Sequence, residues 1–381
     1  MAFDYKQYFG DILVAQNLLT RPEERNWRTA APGRDAEHHD IVLYLGCNVL
    51  RTSHMIQTVT AIFDRLGLDY VAVGGPTYCC GIVHHQNGDT AASTGMNRRT
   101  LEHFQRYTPK EVVMWCPSCI YFYDEVQQLE LPFPVSHTAE FLARRLHQLP
   151  LAPVAPRRVA LHGHGVGEGR LREGEAGRRL LGAVPGITLV DLPPDTRFGR
   201  SCNPALMTNL GPEGWRALAL GELDRAIAAG ADTLAGMYHG CQRQLCPFEA
   251  ERPIAIEHYL TVFARALSLE FEDTFKKYRL WADPERIFAD STPCQQANGV
   301  DPERARDLIA RTFVPLGAVT RGPASEPSPP TLSRLEGGEG GVRWVSGRAR
   351  RSSAARRSHC RCSARSSARR APRRRSPWRR G

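Results

Sequence analysis

The stretch DIVLYLGC, residues 40–47, is a short apolar run rich in β-formers that ends at a Gly-Cys turn. Directly after it, SHMIQTVTAIFDRLG (53–67) places Met55, Ile56, Val59, Ile62 and Phe63 at helical spacing and closes on Gly67. DYVAVGG (69–75) reads as a second strand and NRRTLEHFQRY (97–107) as a second helix. EVVMWC (111–116) reads as a third strand. Strands alternating with helices imply βαβ units around a parallel sheet, in which groups at the carboxyl ends of strands converge on one crevice. Cys47 and Cys116 sit at such ends, and Cys79 and Cys80 follow the middle strand by a few residues. Five thiols from three loops can therefore meet at one place.

Further along, the same order recurs: RVALHGHG (158–165), GEAGRRLLGAV (174–184), ITLVDL (187–192), a loop at Ser201-Cys202, the helix WRALALGELDRAIAAG (215–230) and TLAGMYHGC (233–241). The segment VSHTAEFLARRL from Val135 is echoed by AIEHYLTVFARAL from Ala255, with His137, Ala143, Arg144 and Leu146 recurring as His258, Ala264, Arg265 and Leu267 at an offset of 121. The link LPLAPVAPRR (149–158) holds three prolines, which disfavour a continuing helix. The expected fold class is α/β: two tandem, duplicated βαβ-type cysteine-rich subdomains with parallel sheets, then a disordered C-terminal tail. The expected organisation is an N-terminal extension (1–39), a first cysteine-rich domain with a complete motif (40–148) and a second with a degenerate one (158–270). A helical extension (271–320) and an Arg/Ser-rich tail (321–381) complete it.

Eleven cysteines in a chain expected to be cytoplasmic point to metal binding or catalysis rather than structural disulfides. In the first copy the spacing is Cys47-x31-Cys79-Cys80-x35-Cys116-x2-Cys119, with Gly81 directly after the vicinal pair. A CxxC puts two thiolates on one tight turn, and Pro117 stiffens that turn. Vicinal cysteines rarely share one zinc but can reach two metals of a multi-iron cluster, and Gly81 permits a backbone conformation that a Cβ would obstruct. Thiolate ligands suit both zinc and iron–sulfur centres, so both stay open at this point.

The residues YLGC ending at Cys47, YCCG at 78–81 and WCPSC at 115–119 resemble the cysteine-rich CCG domain of heterodisulfide reductases of the B type and their relatives, including iron–sulfur subunits of glycolate and lactate oxidation systems. The resemblance covers roughly residues 40 to 270, the tandem arrangement of that family. It implies a noncubane [4Fe–4S] cluster on Cys47, Cys79, Cys80, Cys116 and Cys119, with zinc as the alternative metal. It further implies an oxidoreductase that reduces or forms disulfide or persulfide bonds as part of a multisubunit complex. Implied partners are a ferredoxin-like Fe–S subunit and a flavoprotein subunit, with a low-molecular-weight disulfide or a sulfur-carrier protein as substrate. Gly81, Pro117 and His84 are expected in support.

The second copy departs from the pattern. HGHGVGEG (162–169) lies where the family has a His-x-x-Cys-His turn, CCG has become Ser201-Cys202-Asn203, and the CxxC is reduced to Cys241 followed by Gln244, with Cys246 two residues on. Cys202, Cys241 and Cys246 form a possible weak second metal site, with His162, His164 and His239 close in sequence. Zinc could be bound there, but a vestigial, metal-free copy is the simpler reading.

Other groups read blandly. His84 and His85 are expected as a solvated loop pair, and His137 and His258 as carriers of a shared structural hydrogen bond. Tyr121, Phe122 and Tyr123 are expected in core packing, and Cys294 in a polar loop. No P-loop and no GxGxxG after a strand is present, so flavin or NAD would sit on a partner.

The formal charge of +10 suggests a nucleic-acid binder, but its location argues otherwise. Residues 322–381 hold 16 arginines, no lysine and three acids, about +13, which leaves 34 basic and 37 acidic residues elsewhere, or −3. Such a tail cannot bury enough apolar surface to offset chain entropy. It could bind nucleic acid or anionic lipid, but a non-functional extension or a frame-shifted gene end is the plainer reading. Cys360 and Cys362 fall inside it and are set apart from the site. The start MAFDYKQYFGDILVAQ carries acids and lacks a secretory pattern, and no run reaches the ~18 to 20 apolar residues of a membrane span. Two rival functions remain: an electron-transfer subunit of a hydroxy-acid oxidase complex, disfavoured because no CxxCxxCxxxCP run is present, and a zinc-binding structural or assembly module.

Overall fold

The computed structural model describes residues 3–314. The tail expected from residue 321, with Cys360 and Cys362, lies outside the described residues. Within them the chain runs α1 (Tyr5–Leu19), β1 (Ile41–Gly46), α2 (Ser53–Arg65), β2 (Tyr70–Gly74), α3 (Ile82–Gln86), α4 (Thr90–Arg106), β3 (Glu111–Met114), α5 (Pro117–Tyr121), β4 (Val135–His137) and α6 (Thr138–Arg144). The second half follows as β5 (Arg157–His162), α7 (Glu168–Gly182), β6 (Ile187–Val190), α8 (Pro204–Ala228), β7 (Thr233–Gly236), α9 (His239–Leu245), β8 (Ala255–His258) and α10 (Tyr259–Ala264). Three helices close the described chain: α11 (Thr274–Trp281), α12 (Pro284–Ala297) and α13 (Pro302–Thr312).

The fold is α/β, with two four-stranded sheets ordered β2-β1-β3-β4 and β6-β5-β7-β8. Every strand pair within them is parallel. The expected duplication is thus visible strand for strand. A parallel sheet covered on both faces needs strands apolar on both sides. All six residues of β1 are accordingly buried. Side chains alternate across the strand. Val42, Tyr44, Val71, Val73, Val112 and Met114 face one core. Ile41, Leu43, Leu45, Ala72 and Val113 face the other, which continues into the second sheet through Val159, Leu161, Leu234 and Ile256.

The helices follow from their own patterns. In α2 the buried Met55, Ile56, Val59, Ile62 and Phe63 form one stripe, and Gly67 at φ +61 supplies the left-handed residue beyond its end. Asp273, Asp283 and Asp301 cap α11, α12 and α13 by accepting backbone N–H bonds of the first turn. Cys294 lies inside α12, not in a loop as its polar surroundings suggest, because Asp283 and Pro284 start a helix that carries through it. The residues expected as an N-terminal extension supply α1, which packs on α12 and α13. Arg311 reaches Asp11 at 2.6 Å, and Arg25 reaches Asn298 at 2.8 Å.

Two features aim the chain at the strand ends. The β1–β2 register shifts between Tyr44 and Gly46, and Gly46 takes φ +77, so the backbone turns sharply into Cys47. In both sheets strand order reverses between the first and third strands of the copy, the switch point where α/β folds open a crevice at carboxyl ends.

Candidate metal centres

Cys47 follows β1, Cys79 and Cys80 follow β2, and Cys116 and Cys119 bracket the start of α5 after β3. All five thiols are buried. They form a chain of electrostatically interacting neighbours, Cys47 to Cys79, Cys79 to Cys80, Cys80 to Cys119, and Cys119 to Cys116. The vicinal pair and the WCPSC turn are therefore in contact. Among the described residues, the groups whose ligand atoms all lie within 4.8 Å of one another are His162–His164–Cys202–Cys241 and the exposed His38–Asp40–Asp69. The five thiols form a longer arc instead, suited to a centre larger than one ion.

Local chemistry explains the arc. Gly81 takes φ +91, and a Cβ there would lie 2.5 Å from the Ser93 carbonyl oxygen. Its N–H donates to Cys79 Sγ at 3.4 Å. A Cβ on Gly46 would stand 3.0 Å from Cys116 Cβ and 3.3 Å from Cys119 Sγ. Pro117 sits at the first position of α5, where its missing N–H costs nothing, and Cys116 is the residue before it. Tyr44 OH donates to the Tyr78 carbonyl at 2.6 Å and lies 3.5 Å from Cys119 Sγ.

The thiols alternate in acidity. Hydrogen bonds from Cys47 and then Cys80, with help from Gly81 N–H and His84, hold Cys79 well below the usual thiol range. A bond from Cys119, then the N–H groups of Cys119 and Ser118 and the Arg170 charge, lower Cys116. Cys47 is raised by its bond to Cys79 and by burial, and Cys119 by its bonds to Cys116 and Cys80. At Cys80 the bond from Cys119 lowers the pKa, but Cys79 and burial outweigh it and leave the thiol raised. Five negative sulfurs cannot share this buried place without a cationic centre among them.

Groups from distant segments line the arc without any local signal in the sequence. Tyr8 of α1 is held protonated, first by burial and then by the Cys47 charge, against the opposing pull of Arg51 and Arg243. Burial, then the neighbouring Arg51, lowers Arg243 to about 10. Arg243, from the second half, donates to Asn48 Oδ1 at 2.6 Å, one residue beyond Cys47. Arg170 of α7 donates to the Pro117 carbonyl at 2.5 Å and pairs with Glu173 at 2.6 Å, all buried.

His84 is not the solvated loop residue expected. It is buried in α3, stacks on Tyr5 of α1 at 3.8 Å and 8°, and lies 3.4 Å from Asp89. The covering helix comes from the N-terminal segment, which sequence proximity does not reveal. His85 is half-buried against Phe122. Phe122 and Tyr123 are buried as expected, whereas Tyr121 is half-buried with the Arg200 guanidinium over its ring at 4.8 Å. His137 and His258 do share a structural hydrogen bond: each Nδ1 accepts the N–H two residues on, from Ala139 at 3.2 Å and Leu260 at 3.3 Å, capping α6 and α10.

The second sheet gathers a different set. His162 ends β5, His164 follows two residues later, Cys202 lies between β6 and α8, and Cys241 lies in α9 after β7. His162 Nε2 is 3.3 Å from Cys202 Sγ, and His164 Nε2 is 3.1 Å from Cys241 Sγ and 4.0 Å from Cys202 Sγ. Burial works against charge on His162, but bonds to Cys241 and Glu222 raise it to about 10. Burial likewise opposes a Cys241 thiolate, yet Cys202 and the two imidazoles hold it well below the usual range. Cys246, grouped with these thiols on sequence, lies elsewhere. Five residues along a helical path turn it about 140° away from Cys241, and its Sγ faces the Arg243 carbonyl at 3.7 Å. His239 is also outside the set, and burial lowers it to about 3. Of the three histidines named as close in sequence, His162 and His164 join the set because residues i and i+2 of extended chain share a face.

Comparison with known proteins bears on the first site. Residues 41–122 match the CCG family model, a cysteine-rich domain, and so include all five thiols. The chain is 25% identical over 249 residues to the D-type component of the dihydromethanophenazine:CoB–CoM heterodisulfide reductase of Methanosarcina mazei, a match covering 61% of this chain and 60% of that protein. The chain thus matches a little under two thirds of that relative's length. Among solved structures, a putative Asp/Glu racemase from Yersinia pestis aligns at TM-score 0.30 with 11% identity, covering 62% of this chain and 98% of that one. Glutamate racemase from Aquifex pyrophilus aligns at TM-score 0.28 with 15% identity, over 61% and 84%. Likenesses this low carry nothing over to the site.

Proposed function

We propose that the chain is an iron–sulfur oxidoreductase subunit of the heterodisulfide reductase B type, with a noncubane [4Fe–4S] cluster on Cys47, Cys79, Cys80, Cys116 and Cys119. The observation that carries this reading is the contiguous arc of five buried thiols at the carboxyl ends of β1, β2 and β3. Its length supports a multi-iron centre over a single zinc, and the CCG match and the heterodisulfide reductase relative point the same way. Division into cysteine-rich domains at 40–148 and 158–270, and a cytoplasmic location, belong to the same proposal. Among the described residues no helix is long and apolar enough to cross a membrane.

When bound, the cluster would supply one-electron steps and iron with affinity for sulfur. The protein's own groups do the rest. Burial excludes water from the sulfurs, and N–H donors from Gly81 and the start of α5 orient them. Arg51 and Arg243, beside Tyr8 and Cys47, stabilise negative charge on a departing sulfur. Tyr8, kept protonated, holds a proton at its hydroxyl for such a group. Electrons would come from a ferredoxin-like Fe–S subunit and a flavoprotein, and the substrate would be a disulfide or a sulfur group on a carrier.

Anaerobically purified protein tests this. About four irons with matching sulfide per chain, a paramagnetic signal on oxidation with a thiol, and disulfide reduction when a donor is supplied are expected. Colourless protein without sulfide sinks the proposal. Electron transfer with no disulfide reduced would instead favour a role within a hydroxy-acid oxidase complex.

A further inference from the structure

The four side chains of the second sheet have features that hydrogen bonding alone does not require. His162 Nδ1 faces Glu222 Oε1 at 2.8 Å, and Glu222 is held in turn by Arg225 at 2.6 Å. His164 Nδ1 faces the Gly199 carbonyl at 3.1 Å. Both partners are acceptors, so each Nδ1 carries the hydrogen that it donates. Both Nε2 atoms are then turned toward Cys202 and Cys241 Sγ, and all four atoms lie within 4.8 Å of one another. A carboxylate or carbonyl behind a histidine whose other nitrogen points at a shared centre is the usual second layer of a metal site.

From this geometry we infer that the second sheet holds one zinc ion on His162 Nε2, His164 Nε2, Cys202 Sγ and Cys241 Sγ, as a closed structural centre. Zinc–nitrogen bonds of about 2.0–2.1 Å and zinc–sulfur bonds of about 2.3 Å at tetrahedral angles space the ligand atoms roughly 3.3–3.8 Å apart. The observed 3.1, 3.3 and 4.0 Å bracket that spacing. On binding, zinc displaces to solvent the two protons that the four groups otherwise share, and two thiolates balance the charge of the dication in a site with no exposed ligand. Phe198 lies edge-on to His162 at 4.7 Å, and Tyr238 stacks on His164 at 5.4 Å, which leaves the four protein ligands enclosed. Four protein ligands and no open position make the centre structural rather than catalytic. This inference does not depend on what the first site holds.

The centre also ties the halves together. Tyr238, against His164, donates through its hydroxyl to Glu173, Glu173 pairs with Arg170, and Arg170 donates to the Pro117 carbonyl in the WCPSC turn. Cys241 shares α9 with Arg243, which reaches Asn48. Zinc in the second sheet would therefore fix groups that face the first.

X-ray absorption at the zinc edge on the purified full chain is decisive. The expected result is about one zinc per chain with two sulfur and two nitrogen neighbours. An all-sulfur shell, iron in place of zinc, or no zinc after incubation with the ion would overturn the assignment. Cys241→Ser should lose the zinc and Cys80→Ser should keep it; undiminished zinc in soluble Cys241→Ser would also overturn it. Should Cys241→Ser fail to fold, Glu222→Gln keeps the test open. It should weaken zinc about 10- to 100-fold in competition with a chromophoric chelator, and unchanged affinity would count against the site.

Discussion

The two sheets are one scaffold carrying different side chains at the same strand ends. In the first, Cys47, Cys79/Cys80 and Cys116/Cys119 follow the first, second and third strands. In the second, His162/His164, Cys202 and Cys241 occupy the corresponding places. Topology thus decides where ligands meet, while residue type decides what charge they bring. Five buried thiols gather in the first; two thiols and two imidazoles lie within 4.8 Å of one another in the second. Where the first copy carries the CCG triplet and a CxxC, the second carries Ser201-Cys202-Asn203 and Cys241 with Gln244.

The sharpest way to break this contrast is Cys80→Ser. It removes the thiol linking the β2 loop to the WCPSC turn and should abolish bound iron by metal analysis while zinc stays. Cys294→Ser, in α12, should retain full iron; equal iron in both variants would contradict the first site. Arg170→Met tests whether the halves depend on each other. It strands buried Glu173 and frees the Pro117 carbonyl, and should cost about 3–5 kcal/mol in denaturant unfolding. A loss under ~1 kcal/mol would mean that the link is incidental.

Gly46→Ala and Gly163→Ala compare the two first-strand ends. At Gly46 a Cβ meets positive φ and Cys116 Cβ at 3.0 Å, whereas at Gly163 only Pro194 Cγ lies near, at 3.9 Å. The former should destabilise by about 1–3 kcal/mol with loss of iron, the latter by no more than ~0.5 kcal/mol. Equal effects would mean that both ends tolerate side chains alike. A modest effect is expected for His84→Ala, which removes the ring stacked on Tyr5 for about 0.5–1.5 kcal/mol. Iron content should be unchanged; loss of iron would make His84 part of the first centre.

Much of this was legible locally. DIVLYLGC, DYVAVGG and EVVMWC became β1, β2 and β3 because continuous apolar runs suit a sheet buried on both faces, and the five-cysteine spacing marked one site. The second site was only half legible. Cys202, Cys241 and Cys246 were grouped, with His162, His164 and His239 close in sequence; Cys246 and His239 lie outside the set, because nearness in sequence is a poor guide once a helix turns a side chain aside. Tyr8, Arg51, Arg170 and Arg243 carried no sign of their positions, since each reaches its place through contacts distant in the chain.

Periodicity by itself determined the alternating α/β order and the two sheets, because these depend on neighbours within a few residues, and spacing singled out the five thiols proposed as the first centre. Only the folded chain decided which histidines join Cys202 and Cys241, and which cations from the second half reach the first. Those choices depend on how two sheets pack and how helices orient side chains across them, and no stretch of sequence encodes that by itself.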